Sequence, residues 1–226
     1  MEALILVLFL LIMILLGLEA YQVKRDRALL QHVVYVNGIR GKSTVTRMIA
    51  AGLKSGGWSV FCKTTGTVPR LIGTDGVERP LRRRGKANIR EQARVMRMAV
   101  REHAQVLVIE CMAVDPFLQE ISQRKIVRSD IGVITNVRLD HTEEMGLTLE
   151  EICDSLSRTI PEHGILYTAD TQFWGQMVRN AEKVGARVEL SRPADDLPNF
   201  DFPENVALAL AVCGELGVDR EAALAG

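Results

Sequence analysis

This sequence lacks an excess of charge of either sign, because its 28 basic and 28 acidic residues cancel. Bulk charge therefore gives no reason to expect nucleic-acid binding. The sequence also lacks a CxxC pair and a Cys/His cluster, since its four cysteines are widely scattered. This spacing predicts reduced, buried thiols in a cytosolic domain. No internal repeat is visible in the sequence.

One long apolar run stands at the N-terminus. Residues 3–18 are apolar apart from one glycine, a little short of the ~20 residues of a full membrane span. Glu2 precedes the run and the basic residues follow it (Lys24, Arg25 and Arg27). This order differs from that of a signal peptide and places the remainder of the chain in the cytoplasm. We predict a membrane anchor over residues 1–22 and a basic linker over residues 23–31, with a signal peptide or a buried helix as the alternatives.

Apolar strand segments alternate with helix-period segments over the rest of the chain. Such alternation is typical of an α/β fold whose mostly parallel sheet is covered by helices on both faces. The length suits one large domain, which we place at residues 32–226. The predicted strands are 33–36, 58–62, 106–109, 130–135, 165–168 and 187–190, and the predicted helices are 42–56, 88–102, 148–159 and 172–184, with two more from 115 and 203. Residues 63–86 read mostly as loop.

The stretch 32–46 joins a β-branched strand, a glycine-bearing turn and a helix N-terminus, whose free N–H groups bind anions. Gly38 and Gly41 allow the backbone to approach a phosphate. Lys42 can reach the outer phosphate oxygens, and Ser43 can offer a hydroxyl to Mg²⁺. The general P-loop pattern has a glycine at the position of Val36. An ordinary strand–helix turn is the alternative to a phosphate-binding loop.

Polar residues follow two further strands. Glu110 comes directly after an apolar strand, and Asn136, Asp140 and His141 come after the next one. Ligands of parallel sheets lie beyond the carboxyl ends of the strands. We therefore expect Glu110 to hold Mg²⁺ together with Ser43 and a phosphate. His141 would bind a second metal ion or orient the substrate.

These motifs resemble those of the Mur ligase superfamily, the ATP-dependent amide-forming enzymes that include folylpolyglutamate synthetase. Residues 38–44 match the family's G-T-N-G-K-[ST]-T loop, and Glu110 matches its Mg²⁺-binding glutamate. Residues 134–141 match the segment I-T-N-[IV]-x-x-D-H, and the stretch from Asn205 resembles the helix whose asparagine contacts adenine. The resemblance covers residues 33–226 and implies a central ATP-binding domain of the Mur ligase type, preceded here by one transmembrane helix.

The resemblance implies ATP and Mg²⁺ as cofactors and a role for each matched residue. Catalytic roles would fall to Lys42 and His141, while Asn136 and Asp140 would shape the loop. The nucleotide would be bound by Gly38, Ile39, Arg40, Gly41, Lys42, Ser43, Thr44 and Asn205. The metal ligands would be Ser43, Glu110 and His141.

Within the superfamily, the chain is most similar to the ligase subunits of poly-γ-glutamate (capsule) synthases. The loop begins at residue 38, which leaves no room before it for the nucleotide-sugar-binding domain of cell-wall precursor ligases. Folylpolyglutamate synthetases lack that domain too, but they carry no anchor. A basic cluster in the long loop would bind a polycarboxylate, or else be a solvated charged loop. The residues that we assign to this substrate are Arg82, Arg83, Arg84 and Arg90.

Two departures from the family pattern stand out. Many members complete a metal site with a carbamylated lysine about fifteen residues beyond the Asp-His pair, but no lysine lies between Lys125 and Lys183 here. Ser155 and Ser157 lie near that position, so we expect either no second metal or one that is held differently. The sequence also stops at Gly226, where the family's C-terminal domain should begin. We expect a fragment, or a chain completed by a partner, that binds nucleotide with little ligation alone.

The function predicted from these features is ATP-dependent ligation of glutamate into a γ-linked polymer through an acyl phosphate. The expected partners are glutamate, poly-γ-glutamate and integral membrane subunits of a synthase or export complex, with no nucleic acid. The expected location is the cell membrane, with the catalytic domain in the cytoplasm. The alternatives are a folylpolyglutamate-type glutamyl ligase, a membrane-tethered P-loop NTPase of a transport complex, and a regulatory subunit without chemistry. The oligomeric state stays open, with a homo-oligomer among the options.

Overall fold

A computed structural model of the protein describes residues 1–66, 68–83, 85, 87–195, 197 and 201–226. Within these residues, eight strands form one sheet. The strands are β1 (His32–Asn37), β2 (Val60–Thr64), β3 (Arg70–Ile72), β4 (Glu78–Pro80), β5 (Val106–Glu110), β6 (Ile131–Ile134), β7 (Ile165–Thr168) and β8 (Arg187–Leu190). Their spatial order is β4-β3-β2-β5-β1-β6-β7-β8.

The helices alternate with these strands along the chain. They are α1 (Glu2–Ala28), α2 (Lys42–Ser55), α3 (Arg90–Arg101), α4 (Pro116–Ile121), α5 (Thr142–Met145), α6 (Leu149–Leu156), α7 (Trp174–Glu182), α8 (Pro203–Glu215) and α9 (Arg220–Ala225). A π-helical segment (Ser122–Val127) continues α4, and a 3₁₀ turn (Ser157–Thr159) continues α6.

The sheet is parallel in its centre and antiparallel at one edge. Strand β1 pairs in parallel with β5 on one side and β6 on the other, and the parallel pairing extends from β2 to β8. This confirms the predicted fold class, and β7 and β8 coincide with the predicted strands. Most of the described residues between 63 and 86 lie outside helices and strands, as predicted, but the prediction missed β3, which pairs antiparallel with β2, and β4, which pairs antiparallel with β3. Strands of three residues are too short to show an alternating sequence pattern.

The core lies on both faces of β1, whose residues 33–36 are fully buried. Val34 and Val36 pack in the cluster formed by α2 and α8, while Val33 and Tyr35 pack in the cluster formed with α3. Complete burial of each such side chain stabilises the fold by about 1.5–3 kcal/mol. A strand that is apolar on both faces occupies the middle of a covered parallel sheet, which fixes the site at its carboxyl end.

Helix α1 is the one helix among the described residues that is long and apolar enough to span a membrane, with a mean hydropathy of 2.9. Its apolar side chains between residues 4 and 18 are about half exposed or more. The helix continues to Ala28, so most of the segment 23–31, which we predicted as a linker, is helical. At its C-terminal end, Val23 is buried and Arg27 Nε donates to the carbonyl oxygen of Arg128 over 2.8 Å. These contacts hold the end of the helix against the domain.

Candidate active site

The turn between β1 and α2 is built on two glycines in the left-handed region. Gly38 has a φ of 124°, and a Cβ there would lie 2.1 Å from Thr135 Oγ1. Gly41, with a φ of 81°, is the N-cap of α2. Only glycine fits the close approach at residue 38 and adopts both conformations without strain. The loop therefore packs tightly on the end of β6 and directs the N-terminus of α2 toward the cavity described below.

Lys42, the first residue of α2, folds back over this loop. Its Nζ donates to the carbonyl oxygens of Gly38, over 2.6 Å, and of Ile39, over 3.3 Å. Burial lowers the pKa of Lys42 from its ordinary value, and the negative charge of Glu110 partly opposes that shift. The ammonium group thus stands at the mouth of the loop, as a phosphate-binding lysine requires.

Glu110 and Ser43 meet at this point, together with a residue that the sequence motifs do not indicate. Ser43 Oγ donates to Glu110 Oε2 over 2.8 Å. Thr65 donates twice to the same carboxylate, from its backbone N–H over 2.7 Å and from its hydroxyl over 2.6 Å. Thr65 follows β2, whose parallel pairing with β5 places it beside Glu110. The available signal was a run of threonines directly after a strand. We call these three residues the carboxylate cluster.

The carboxylate cluster has the donor set of a magnesium site. Glu110 is 2% exposed, and the three hydrogen bonds that it accepts from Ser43 and Thr65 come from neutral groups. The 2.8 Å between Ser43 Oγ and Glu110 Oε2 is close to the edge of a Mg²⁺ octahedron, about 2.9 Å for ligands at 2.0–2.1 Å. Among the described residues no three His, Cys, Asp or Glu side chains group as metal ligands. A metal here would take hydroxyl, phosphate and water oxygens beside Glu110.

The segment after β6 fixes the 38–41 loop through hydrogen bonds and an ion pair. Asn136 accepts from the backbone N–H of Arg40 and donates to its carbonyl oxygen, both over 3.0 Å. Thr135 Oγ1 donates to the same carbonyl oxygen over 2.6 Å. Asp140 forms an ion pair with the Arg40 guanidinium over 2.9 Å. These contacts lock the loop to the end of β6.

His141 lines the same cavity as the carboxylate cluster. It has a left-handed φ of 50° and is the N-cap residue of the short helix α5. Both His141 and Glu110 line a cavity of about 480 Å³. The other residues that line it are Asn37, Ile39, Arg40, Gly41, Lys42, Ser43, Thr44, Thr65, Gly66, Arg83, Ala87, Cys111, Met112, Ala113, Val114, Asp140 and Met145. The structure thus gathers Lys42, Glu110 and His141 around one space.

Asn205 lies on the other side of the loop, at a second cavity of about 640 Å³. A Cβ on Gly41 would lie 3.0 Å from Asn205 Oδ1, so helix α8 touches the loop directly. Both cavities are lined by Arg40, Gly41 and Thr44. A triphosphate at the first cavity could therefore continue into a nucleoside at the second.

The four arginines assigned to substrate fall in different surroundings. Arg83 lines the first cavity, whereas Arg82 is exposed. Arg90 forms an ion pair with Glu19 of α1 over 2.5 Å. Arg84 lies outside the described residues. Their role toward a substrate stays a prediction.

Arg83 belongs to a buried ion triad with Glu91 and Lys63. Its Nε and Nη2 donate to the two Glu91 oxygens over 2.6 and 3.1 Å. Lys63, which is fully buried, pairs with Glu91 over 3.2 Å. Burial lowers the pKa of Lys63, and the Glu91 charge opposes that shift. The triad connects the end of β2 to the first turn of α3.

Many members of the superfamily carry a carbamylated lysine near the position of Ser155. In this chain, Ser155 belongs to a network of neutral hydrogen-bonding groups. Ser155 is buried and accepts from Gln119 Nε2 over 3.2 Å. Gln119 Oε1 accepts from Asn37 Nδ2 over 2.8 Å, and Asn37 lines the first cavity. Amide and hydroxyl groups that satisfy one another thus form the floor of the cavity on this side.

Residues 36–192 match the family model described as the Mur ligase middle domain. The sequence is 42% identical to "Capsule biosynthesis protein CapB" of Bacillus anthracis over 203 residues, which is 85% of this chain and 44% of that protein. It is 41% identical to "PGA synthase CapB" of Bacillus subtilis (strain 168) over 202 residues, 85% of this chain and 51% of that protein. The chain spans about half the length of these curated relatives.

Solved structures share the fold at low sequence identity. The "FPGS-AMPPCP complex" superposes with a TM-score of 0.68 at 14% identity, over 91% of this chain and 65% of that one. A bifunctional folylpolyglutamate synthase/dihydrofolate synthase, described with Mn, AMPPNP and L-glutamate bound, superposes with a TM-score of 0.63 at 17% identity, over 91% of this chain and 60% of that one. These likenesses establish the architecture.

Proposed function

Because the chain belongs to the Mur ligase family, we propose that it is the nucleotide-binding domain of an ATP-dependent ligase that joins glutamate into a γ-linked polymer. The observation that carries this proposal is the carboxylate cluster beside Lys42 at the carboxyl end of the sheet. That arrangement supplies a metal position, a cation for phosphate and a helix N-terminus within one cavity.

ATP occupies both cavities in this proposal. Its phosphates lie against the N-terminus of α2 and Lys42, and its nucleoside lies toward Asn205. Solved relatives of the same fold are described with AMPPCP or with AMPPNP and Mn, which supports a nucleotide and a divalent metal. Ser43 and Glu110 would hold Mg²⁺, which when bound would neutralise charge on the β- and γ-phosphates.

The reaction proceeds in two steps, and the protein acts mainly by positioning and charge stabilisation. A substrate carboxylate oxygen attacks the γ-phosphorus as the bond to the β-phosphate oxygen breaks, giving an acyl phosphate and ADP. The amine of glutamate then attacks the acyl carbon and loses a proton as phosphate leaves. Lys42 and the loop N–H groups stabilise negative charge in the first step. His141 faces the acyl phosphate or a second metal ion across the cavity.

The substrate class follows from the relatives and from the cavity. One relative is described as a PGA synthase and another as a capsule biosynthesis protein. Arg83 lines the cavity while Glu91 holds its guanidinium in a bidentate pair. A guanidinium fixed in this way is suited to orient a substrate carboxylate. We assign Arg83 to the glutamate polymer on this ground.

The same proposal places the protein at the cell membrane. Helix α1 anchors it, the basic residues after the apolar run keep the domain in the cytoplasm, and integral membrane subunits of a synthase or export complex are its partners. Residues 1–22 act as the anchor and residues 32–226 as the ATP-binding domain.

The test is ADP release by membranes that carry this chain, with and without glutamate, beside membranes that carry Lys42→Ala. We expect release that requires both glutamate and Lys42, with a loss of about 10³-fold in the variant, and a γ-linked product. Lys183→Ala is the matched control, because Lys183 is an exposed lysine bonded to Asn180. Unchanged release in Lys42→Ala would contradict the proposed site.

A folylpolyglutamate-type glutamyl ligase is the second candidate, favoured by the shared fold. Product formation that depends on dihydrofolate or folate as acceptor would decide for it. Release of ADP that is independent of glutamate, with no acyl phosphate trapped by hydroxylamine, would instead indicate an NTPase of a transport complex.

A further inference from the structure

Helix α1 runs in the same direction as α3. Glu19 pairs with Arg90 over 2.5 Å, and Asp26 pairs with Arg97 over 3.1 Å. Both pairs are separated by 71 residues in the sequence. A constant difference between paired residue numbers defines two parallel helices, whereas antiparallel helices would keep a constant sum. Because both helices rise 1.5 Å per residue, the two pairs lie about 10 Å apart along each helix.

The direction of α3 relates α1 to the catalytic cavity. Gln92, in the first turn of α3, donates to the carbonyl oxygen of Glu110 over 3.1 Å. The start of α3 therefore lies at the carboxyl end of β5, where the carboxylate cluster lies. At the other end of α1, Arg27 pairs with Asp130 over 2.5 Å, and Asp130 accepts from the backbone N–H of Val33 over 2.9 Å. Helix α1 thus runs from the edge of the sheet where the parallel strands have their carboxyl ends, which we call the catalytic edge, to the edge where they have their amino ends, which we call the amino edge.

The apolar part of α1 consequently projects beyond the catalytic edge. Residues 2–18 precede the first contact with α3 and extend about 25 Å farther at 1.5 Å per residue. Their side chains are largely exposed. A membrane that surrounds this segment would begin close to Glu19 and Arg90. The cavity would then face the bilayer and not the bulk cytoplasm.

The chain on this side of the domain is strongly basic. Among the residues that the structure describes between 79 and 94, five are basic and one is acidic, Glu91, and Glu91 is already held by Lys63 and Arg83. Arg82 and Arg94 are exposed. Clusters of arginine and lysine directly cytoplasmic of a transmembrane helix bind anionic lipid headgroups.

We propose that α1 holds the catalytic edge toward the membrane, with the described basic residues of the segment 79–94 (Arg79, Arg82, Arg83, Arg90 and Arg94) on anionic phospholipid headgroups and the cavity mouth opening beside them. This inference rests on the membrane anchor of the proposed function and adds the orientation of the site to it. Arg83 and Ala87 both line the cavity and lie within this segment, so the surface that meets the lipid also borders the site. Substrate and polymer then enter and leave within the layer next to the bilayer.

The orientation is measurable with one fluorophore placed at either edge of the sheet. Gly85→Cys marks the catalytic edge, where an added side chain meets open space. Glu162→Cys marks the amino edge, at an exposed position before β7. The four native cysteines are buried, and burial raises the pKa of Cys62 and of Cys213 to about 12, so maleimide dyes react at the introduced thiol.

Each labelled full-length protein is inserted into nanodiscs whose lipid headgroups carry a short-range quencher. We expect quenching several-fold stronger at residue 85 than at residue 162, and a further increase at residue 85 when phosphatidylserine replaces phosphatidylcholine. Equal quenching at both positions, stronger quenching at residue 162, or no association with the nanodiscs would overturn the proposed orientation.

Binding of lipid and binding of polymer by the basic segment give different signals at residue 85. If soluble poly-γ-glutamate changes the signal at this position but the lipid charge does not, the segment binds the polymer and the headgroup contact is wrong. Because quenching requires no turnover, failure of the ADP-release test would leave the orientation standing, and failure of the quenching test would leave the ligase standing.

Discussion

Two carboxylates of this domain, Glu110 at the end of β5 and Glu91 in the first turn of α3, have opposite surroundings. Glu110 ends β5 and is held by two hydroxyls and a backbone N–H, all neutral. Glu91, in the first turn of α3, is held by the guanidinium of Arg83 and the ammonium of Lys63. Both groups are almost entirely removed from water.

The difference shows what makes one buried carboxylate available to a metal ion and another a structural ion-pair partner. Burial raises the pKa of Glu91, whereas the hydrogen bonds from Arg83 and the charge of Lys63 lower it. The lowering is larger, so the net shift of the pKa is downward. Its charge is therefore already neutralised. The hydrogen bonds that Glu110 accepts from Ser43 and Thr65 come from neutral donors, which leaves the carboxylate suited to a cation that arrives with the substrate. One acid is available to a metal, and the other fixes α3 to the sheet.

The largest effect is expected from Glu110→Gln, which keeps the size of the side chain and removes its charge. ADP release should fall about 100-fold or more, and the Mg²⁺ concentration that gives half-maximal release should rise. Stability should change little, because the amide oxygen still accepts from Ser43 or Thr65. Titration of release against Mg²⁺ measures this, with Glu150→Gln on the exposed face of α6 as the control. An equal loss of ADP release in Glu110→Gln and in Glu150→Gln would contradict the metal-binding role of Glu110.

Glu91→Gln should produce the opposite pattern, a loss of stability and a smaller loss of nucleotide affinity. Removing the acid leaves Lys63 buried without a counter-charge, which costs about 3 kcal/mol in the free energy of unfolding. Urea unfolding of the full chain in detergent measures this cost. The double variant Lys63→Met with Glu91→Leu should recover much of the loss, because neither charge then remains buried.

The pH dependence of this stability difference has a defined sign. The folded-state pKa of Glu91 is lowered from 4.5. Its contribution is therefore fully present above pH 4.5 and is lost as the pH falls through the folded-state pKa. The stability gap between the native protein and Glu91→Gln should be widest near neutral pH and should narrow in acid. A gap that widens in acid would contradict the ion triad.

Thr65→Val should give the smallest of these effects. It removes the hydroxyl that donates to Glu110 over 2.6 Å and keeps the backbone donor. A hydrogen bond to a charged group contributes about 1.5–3 kcal/mol, so we expect about a tenfold loss of ADP release through a misplaced Glu110. Thr65→Ser, which keeps the hydroxyl, should restore most of the activity. If the serine variant were as weak as the valine variant, the methyl group and not the hydroxyl would be the feature that matters.

Local patterns predicted the central part of the site. Lys42 and Ser43 follow from the order strand, glycine turn and helix, and Glu110 follows from its place after an apolar strand. The structure brings these residues together because parallel strands end at the same edge. Motif spacing and strand polarity were sufficient for this much.

Features that depend on strand order were not predictable in the same way. Thr65 and Lys63 matter because β2 lies next to β5, and no periodicity in the sequence specifies that neighbour. The pairing of Arg90 with Glu19 depends on α1 lying along α3, which composition does not reveal. Strands β3 and β4 were missed because the pairing of β3 with β2 and of β4 with β3, and not their own residues, defines them.

The position of β1 in the sheet also sets the order of events during synthesis. Strand β1 leaves the ribosome early, but its partners are Val106–Glu110 and Ile131–Ile134, about 70 and 100 residues later. Helix α8, which covers the α2 side of the core, begins only at Pro203. A central strand with such distant partners folds slowly. If α1 is the membrane anchor that we propose, it can enter the bilayer while its domain is still unfolded, and we then expect the nucleotide site to form for the first time at the membrane surface.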